Sequence, residues 1–196
     1  MGNKGTRLPA EPLTAAEVGL LLGECSRGPS GLRNQALIAI MYRAGLRCEE
    51  MLSLKVSDVD AEKGTVRVLH GKGNRARVTG TDAGTFAIVQ RWIDVRVSLG
   101  ITDGPLFCTL RGGPLGSRYV RELMTRLGRH ASIGKRTHCH GLRHTHASEL
   151  VAEHVPLNVI SKQLGHSNSN VTARYLDHVA PAQVIDMGRA RPGWAA

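Results

Sequence analysis

Apolar positions recur with a helical period along most of the chain and with a period of two in one short stretch. Thr14 stands three residues ahead of Glu17, a spacing that predicts a capping box and a helix over residues 14–25 with Val18, Leu21 and Leu22 inward. In "GLRNQALIAIMYRAG" Leu37, Ile40, Met41 and Ala44 share one face, and Gly45 stops this second helix. A short third helix follows over 47–54. Between Gly64 and Val78 the period drops to two: "GTVRVLH" and "RARV" flank the turn-like "GKGN", a β-hairpin signal. Helical spacing returns over 81–98, carrying Phe86, Val89, Trp92, Ile93 and Val97, and over 117–133, carrying Val120, Leu123, Met124 and Leu127. The intervening "DGPLFCTLRGGPLG" reads as a loop with a candidate short strand around Leu106. From Cys139 the pattern predicts a helix to about residue 153 and a second begun by Pro156 and ended by Gly165. A third holding Tyr175 and a last one after Pro181 follow. The predicted fold is mainly α with a small antiparallel β-sheet.

Composition narrows the partner. The 196 residues suit one domain with a real hydrophobic core, and no run of 18 or more apolar residues occurs. No basic segment leads into an apolar run at the N-terminus, so the expected compartment is the cytoplasm, with no membrane association. Cys25, Cys48, Cys108 and Cys139 are scattered without a C-x-x-C pair, which fits reduced thiols. Twenty-six Lys and Arg against sixteen Asp and Glu give a net charge of +10, a balance that favours a polyanion, and nucleic acid leads. The excess is also local. From residue 111 to 136, Arg111, Arg118, Arg121, Arg126, Arg129, Lys135 and Arg136 face only Glu122. Of these, Arg111, Arg118, Arg121, Arg126, Lys135 and Arg136 are the candidate DNA-contacting residues.

The segment "HCHGLRHTH", residues 138–146, crowds imidazoles around one arginine. As a metal site it is poor. His140 and His144 have i, i+4 spacing, but Gly141 stands where a zinc hydrolase needs its glutamate, and no second ligand pair completes a site. Three other stretches change its meaning: "AGLRCEEMLSL" with Arg47, "HGKGNRARV" with Lys72, and "LGHSNSNVTARYL" with His166 and Tyr175. Together they supply what metal-free phosphoryl transfer requires. Charge gathers on the two non-bridging oxygens of a phosphodiester under attack, and the guanidinium forks of Arg47 and Arg143 match both oxygens. His140 lies one helical turn from Arg143 and is the candidate base for Tyr175, whose phenol is protonated at neutral pH and needs a proton acceptor to attack. The leaving alkoxide needs a proton, which Lys72 on the hairpin tip can donate.

In these four stretches the sequence resembles the tyrosine recombinases of the phage integrase family, over residues 13–190. "GLRCEEMLSLKVSDVD" is similar to the first arginine box, which implies Arg47 as the first catalytic arginine and Glu50 as a supporting acid. "GKGNRARV" matches the hairpin lysine box, implying Lys72. "HGLRHTHASEL" resembles the H-x-x-R box, implying His140 and Arg143. "LGHSNSNVTARYL" resembles the closing box, implying His166 and the nucleophile Tyr175. The resemblance implies a helical catalytic-domain fold and a 3′-phosphotyrosyl intermediate resealed by a 5′-hydroxyl, with no metal, ATP or other cofactor. It further implies double-stranded DNA as partner and a homo-tetramer on that DNA that exchanges a C-terminal segment, here 181–187. Residues 1–12 read as a flexible tail or linker remnant and 191–196 as a C-terminal tail. Family members carry an N-terminal helical domain that completes a clamp around DNA; either this chain is a catalytic portion of such a protein, or it resembles compact one-domain recombinases. A type IB topoisomerase and a non-catalytic DNA-binding module are the alternative functions.

Overall fold

The computed structural model describes residues 12–69 and 76–165, together with residue 189. Its elements are α1 (Ala15–Gly23), α2 (Pro29–Arg43), α3 (Cys48–Ser53), a 3₁₀ turn (Val56–Asp58), β1 (Val59–Asp60), β2 (Thr65–Val68), β3 (Arg77–Gly80), α4 (Ala83–Ser98), α5 (Ser117–His130), α6 (Cys139–Ala152) and α7 (Leu157–Leu164). The strands form one antiparallel sheet in the order β1-β2-β3, with Val66 opposite both Val59 and Thr79. The mainly α fold with a small antiparallel sheet is therefore what the hydrophobic pattern predicts. The predicted helices holding Tyr175 and following Pro181 lie outside the described residues.

Local chemistry sets the element ends. Thr14 Oγ1 accepts from the Glu17 N–H at 3.1 Å and Glu17 Oε2 accepts from the Thr14 N–H at 2.7 Å, the reciprocal box that opens α1. Beyond α2, Gly45 takes φ +63, and a Cβ there would sit 2.7 Å from both His146 Cδ2 and Leu164 Cδ2. Only glycine fits that turn without strain.

The central helix is α2, packed against α1, α3, α4 and α6. Its expected one-sided face widens into the continuous buried run Ala36, Leu37, Ile38, Ala39, Ile40 and Met41, because partners lie all around it. Each large side chain in that run contributes roughly 1.5–3 kcal/mol of burial. A second cluster, Ala147, Val151, Ile160 and Leu164, joins α6 to α7. Helix α7 also covers the edge strand β3: the Gln163 amide donates to Gly80 O at 2.8 Å and accepts from Gly80 N at 3.1 Å, as a neighbouring strand would. Thr79 Oγ1 donates to Ala44 O at 3.1 Å, tying the same strand to the end of α2.

Two sequence expectations fail here. The short strand around Leu106 is not formed; the Leu106 N–H instead donates to Leu54 O at 2.6 Å, and only Cys108 and Pro114 make an isolated bridge. Val97 is not inward on α4 but 70% exposed, while Arg96 is 1% exposed in the core. The Arg96 guanidinium donates to Leu106 O at 2.8 Å, to Asp103 O at 2.9 Å and to Pro105 O, beside Trp92 Nε1, which also donates to Leu106 O at 2.8 Å. A loop whose carbonyls face inward needs donors there, and a long arginine reaches them where valine cannot.

This inversion predicts unequal costs. Arg96→Met keeps the stem but strands the carbonyls and is expected to lower unfolding free energy by about 2–4 kcal/mol, whereas Val97→Lys should change it by less than about 0.5 kcal/mol. Urea denaturation followed by circular dichroism measures both, and equal costs would contradict the assignment of Arg96 as the loop's donor.

Candidate active site

Arg47 is the N-cap of α3, and Glu50 at the third position of that helix reaches back to it: Oε2 accepts from the Arg47 N–H at 2.9 Å and Oε1 from Arg47 Nη1 at 2.7 Å. Arg77, the first residue of β3, joins the same carboxylate, Nη1 to Oε1 and Nη2 to Oε2, both at 2.8 Å. Burial pushes the Glu50 carboxyl up, but hydrogen bonds from Arg77, the Arg47 backbone and the Arg47 side chain, with the charge of Arg77, outweigh it and hold the group at about 2.

The segment 138–146 resolves into separate roles. His138 is the N-cap of α6, its Nδ1 accepting from the Gly141 N–H at 2.7 Å. His140 and Arg143, one turn apart on α6, diverge in environment. Arg143 is 1% exposed, with Nη1 donating to Gly45 O and Nη2 to Leu164 O, each at 2.6 Å. His140 stays exposed, its ring meeting His144 edge to face at a centroid distance of 4.2 Å. Partial desolvation, then the charges of Arg143, His138 and Arg47, lower the His140 pKa, so its imidazole is neutral at pH 7 and able to accept a proton. His146 is buried and its Nε2 has no hydrogen-bond partner; burial first, then the charges of Arg43 and Arg143, hold its pKa at about 4.

The described part of the site thus brings Arg47, Glu50, His140 and Arg143 to one region, where the thiols of Cys48 and Cys139 are close enough to shift each other's titration. Those thiols head α3 and α6 directly beside Arg47 and His140. Lys72, His166 and Tyr175 lie outside the described residues. Sequence reasoning missed Arg77 and the capping role of His138. The latter had a local signal, a polar residue just before the first apolar turn of α6. Arg77 had none beyond a positive charge on a strand.

Of the candidate DNA-contacting residues, Arg111, Arg118, Arg121, Arg126 and Arg136 are exposed. On α5 the buried stripe Val120, Leu123, Met124 and Leu127 turns Arg118, Arg121 and Arg126 outward together. The charge of Arg121 also reaches the Cys48 and Cys139 thiols, so this face adjoins the site. Lys135 differs: it is half-buried, with Nζ donating to Glu17 Oε2 at 3.0 Å and Pro12 O at 3.2 Å. Among the described residues no cluster of three or more His, Cys, Asp or Glu could hold a metal ion, and no helix is long and apolar enough to cross a membrane.

These shifted groups make stability depend on pH, His146 and Glu50 most strongly. A native His146 that stays neutral leaves the unfolded chain binding an extra proton, so stability falls as pH drops from about 6.5 to about 4. Glu50, depressed instead, contributes stability that is complete above about 4.5 and lost as pH falls toward 2. Each shift corresponds to about 3 kcal/mol. In denaturation midpoints measured against pH, His146→Phe is expected to reduce the upper fall, leaving the part due to His140, and Glu50→Gln to flatten the lower one. Profiles unchanged by either substitution would refute these assignments.

The chain is similar to several known proteins. The tyrosine recombinase XerC of Actinobacillus pleuropneumoniae serotype 7 (strain AP76) is 33% identical over 187 residues, covering 94% of this chain and 60% of the relative. The chain spans between 54% and 64% of the length of the curated XerC relatives it matches. Among solved structures, XerA recombinase superposes with a TM-score of 0.81 at 24% identity, over 98% of this chain and 68% of that one, a likeness of fold. The XerH site-specific recombinase bound to difH substrate in a pre-cleavage complex superposes with a TM-score of 0.73 at 27% identity, over 88% of this chain and 53% of that one. The sequence model of the phage integrase family matches residues 11–181, nearly the whole chain and every element described above, and the chain therefore belongs to the phage integrase family.

Proposed function

We propose that the chain is the catalytic part of a tyrosine-type site-specific recombinase that acts on double-stranded DNA in the cytoplasm. The observation that carries this reading is the convergence of two arginines on a neutral histidine: His140 feels the charges of both Arg143 and Arg47. A phosphodiester drawn to that spot lies in the field of two permanent cations, the partly exposed Arg47 and the buried Arg143, beside one proton acceptor, the set that an in-line displacement at phosphorus needs without a metal.

In this reading Arg47 and Arg143 neutralise the non-bridging oxygens while Tyr175 attacks the phosphorus. His140 takes the phenolic proton, aided by His166. Lys72 delivers a proton to the departing 5′-oxygen. The product is a 3′-phosphotyrosyl link, and a 5′-hydroxyl from a second strand reverses the step, returning the phenol and conserving the bond without ATP. Glu50 supports Arg47. The exposed arginines Arg111, Arg118, Arg121, Arg126 and Arg136 hold the duplex backbone by phosphate contacts, which orient the DNA without reading sequence. Four copies assemble around two DNA sites, each passing the segment 181–187 to a neighbour. Strand exchange is favoured over topoisomerase-like relaxation and over a non-catalytic module by the similarity to the XerC recombinases.

Incubation with a nicked suicide duplex tests the reading. The wild-type chain is expected to form a covalent DNA adduct, and Tyr175→Phe to bind the duplex with similar affinity but form none; an adduct from the Phe variant would reassign the nucleophile. A second comparison separates the roles. Lys72→Ala should slow cleavage by about 10²–10⁴-fold on normal DNA and recover much of it when sulfur replaces the leaving oxygen, since a thiolate departs without a proton. Arg47→Ala should show no such recovery, because what it loses is charge on the non-bridging oxygens. Arg47 serves better than Arg143 for that arm, since removing Arg143 would also free the carbonyls of Gly45 and Leu164. Equal rescue of both variants would sink the division of labour.

A further inference from the structure

Arg77 lies within the hairpin stretch "GKGNRARV", where the sequence reading gives a role to Lys72 alone, yet its side chain meets Glu50 more completely than that of Arg47 does. It offers a fork, Nη1 to Oε1 and Nη2 to Oε2, while the Arg47 side chain reaches the carboxylate through Nη1 alone. Nε of Arg77 donates to Gln163 O at 3.2 Å, so the guanidinium is held on all its edges. The side chains are 12% exposed for Arg77, 28% for Arg47 and 3% for Glu50. One carboxylate thus faces two permanent cations, and the more buried, forked one takes the larger share of it.

The consequence falls on Arg47. Without Arg77, a nearly buried Glu50 would have Arg47 as its close cation, and the two-oxygen fork would close on Arg47 instead. A guanidinium gripped by both oxygens has fewer donors left for a phosphate, and its charge is cancelled. Building on the recombinase reading of this site, we propose that Arg77 is a positioning residue for DNA cleavage. By occupying the fork of Glu50 it leaves Arg47 oriented through a single side-chain hydrogen bond and still cationic toward the scissile phosphate. Through Gln163 O it also fixes the C-terminus of α7 relative to Arg47. Gly165, which ends α7 at φ +65, accommodates this contact: a Cβ there would stand 2.7 Å from Arg77 Cδ, so the arginine stem lies against bare backbone.

The test is single-turnover cleavage of the nicked suicide duplex by the full chain, with DNA affinity measured separately. Arg77→Met keeps an apolar stem and is expected to lower the cleavage rate constant at saturating DNA by about 10–100-fold while changing affinity by less than about threefold. Two comparisons separate positioning from a role as a mere strut. Replacing a non-bridging oxygen of the scissile phosphate with methyl removes the charge that Arg47 serves, so on that neutral duplex the defect of Arg77→Met should shrink to within a few-fold. The double variant Arg77→Met with Glu50→Gln, which has no carboxylate left to capture Arg47, should cleave faster than Arg77→Met alone. Equal defects on the charged and methylated duplexes, or a double variant no faster than the single one, would overturn the proposal. If circular dichroism shows Arg77→Met unfolded, Arg77→Lys, which keeps the charge but cannot fork, carries the same comparisons. A wild-type chain that forms no adduct would overturn the recombinase reading and this inference with it, whereas an active wild type matched by its Arg77 variants would sink the inference alone.

Discussion

The architecture of the site depends on one buried cation. Arg143 is 1% exposed, and removing a charge so completely from water is tolerable only where strong acceptors replace it. The carbonyls of Gly45 and Leu164 do so. Both lie at helix C-termini, where unpaired carbonyls and the helix dipole concentrate negative charge. One guanidinium on α6 therefore pins the turn that leads to Arg47 and the end of α7, beyond which the chain runs on to His166 and Tyr175. Gly45 makes that approach possible, since any side chain there would strike His146 and Leu164.

A second set of charges is graded by exposure. Glu50 accepts from the Arg47 backbone, the Arg47 side chain and both ends of the Arg77 fork, leaving a cluster with one negative and two positive charges. The surplus is positive and sits nearer solvent on Arg47. His140, exposed and lowered by desolvation and neighbouring cations, remains neutral beside it. Attraction for a phosphate and capacity to accept a proton are thus held together without the histidine being protonated first.

The net charge of +10 divides in the folded molecule. Arg33, Arg96 and Arg143 are buried and hydrogen-bonded to backbone carbonyls, and Lys135 is bound to Glu17 and Pro12 O. These cations hold loops and helix ends in place. Other cations reach solvent: the apolar stripe of α5 turns Arg118, Arg121 and Arg126 outward, Arg111 and Arg136 are exposed, and Arg47 is partly so.

The amino-acid sequence by itself determined the elements and the chemistry that short-range rules govern. The capping box at Thr14, the stop at Gly45, the hairpin and the α5 stripe are set by residues within a few positions of each other, and local sterics and periodicity express them directly. So is the i, i+3 pair of His140 and Arg143. Only the tertiary structure decided what depends on residues far apart in the chain. The inversion of Arg96 and Val97 follows from inward carbonyls seven to ten residues away, the all-round burial of α2 from partners on every side, and the sharing of Glu50 from a strand 27 residues later. Hydrophobic pattern cannot register these, because a buried arginine and an exposed one look alike until the acceptors that surround them are in place.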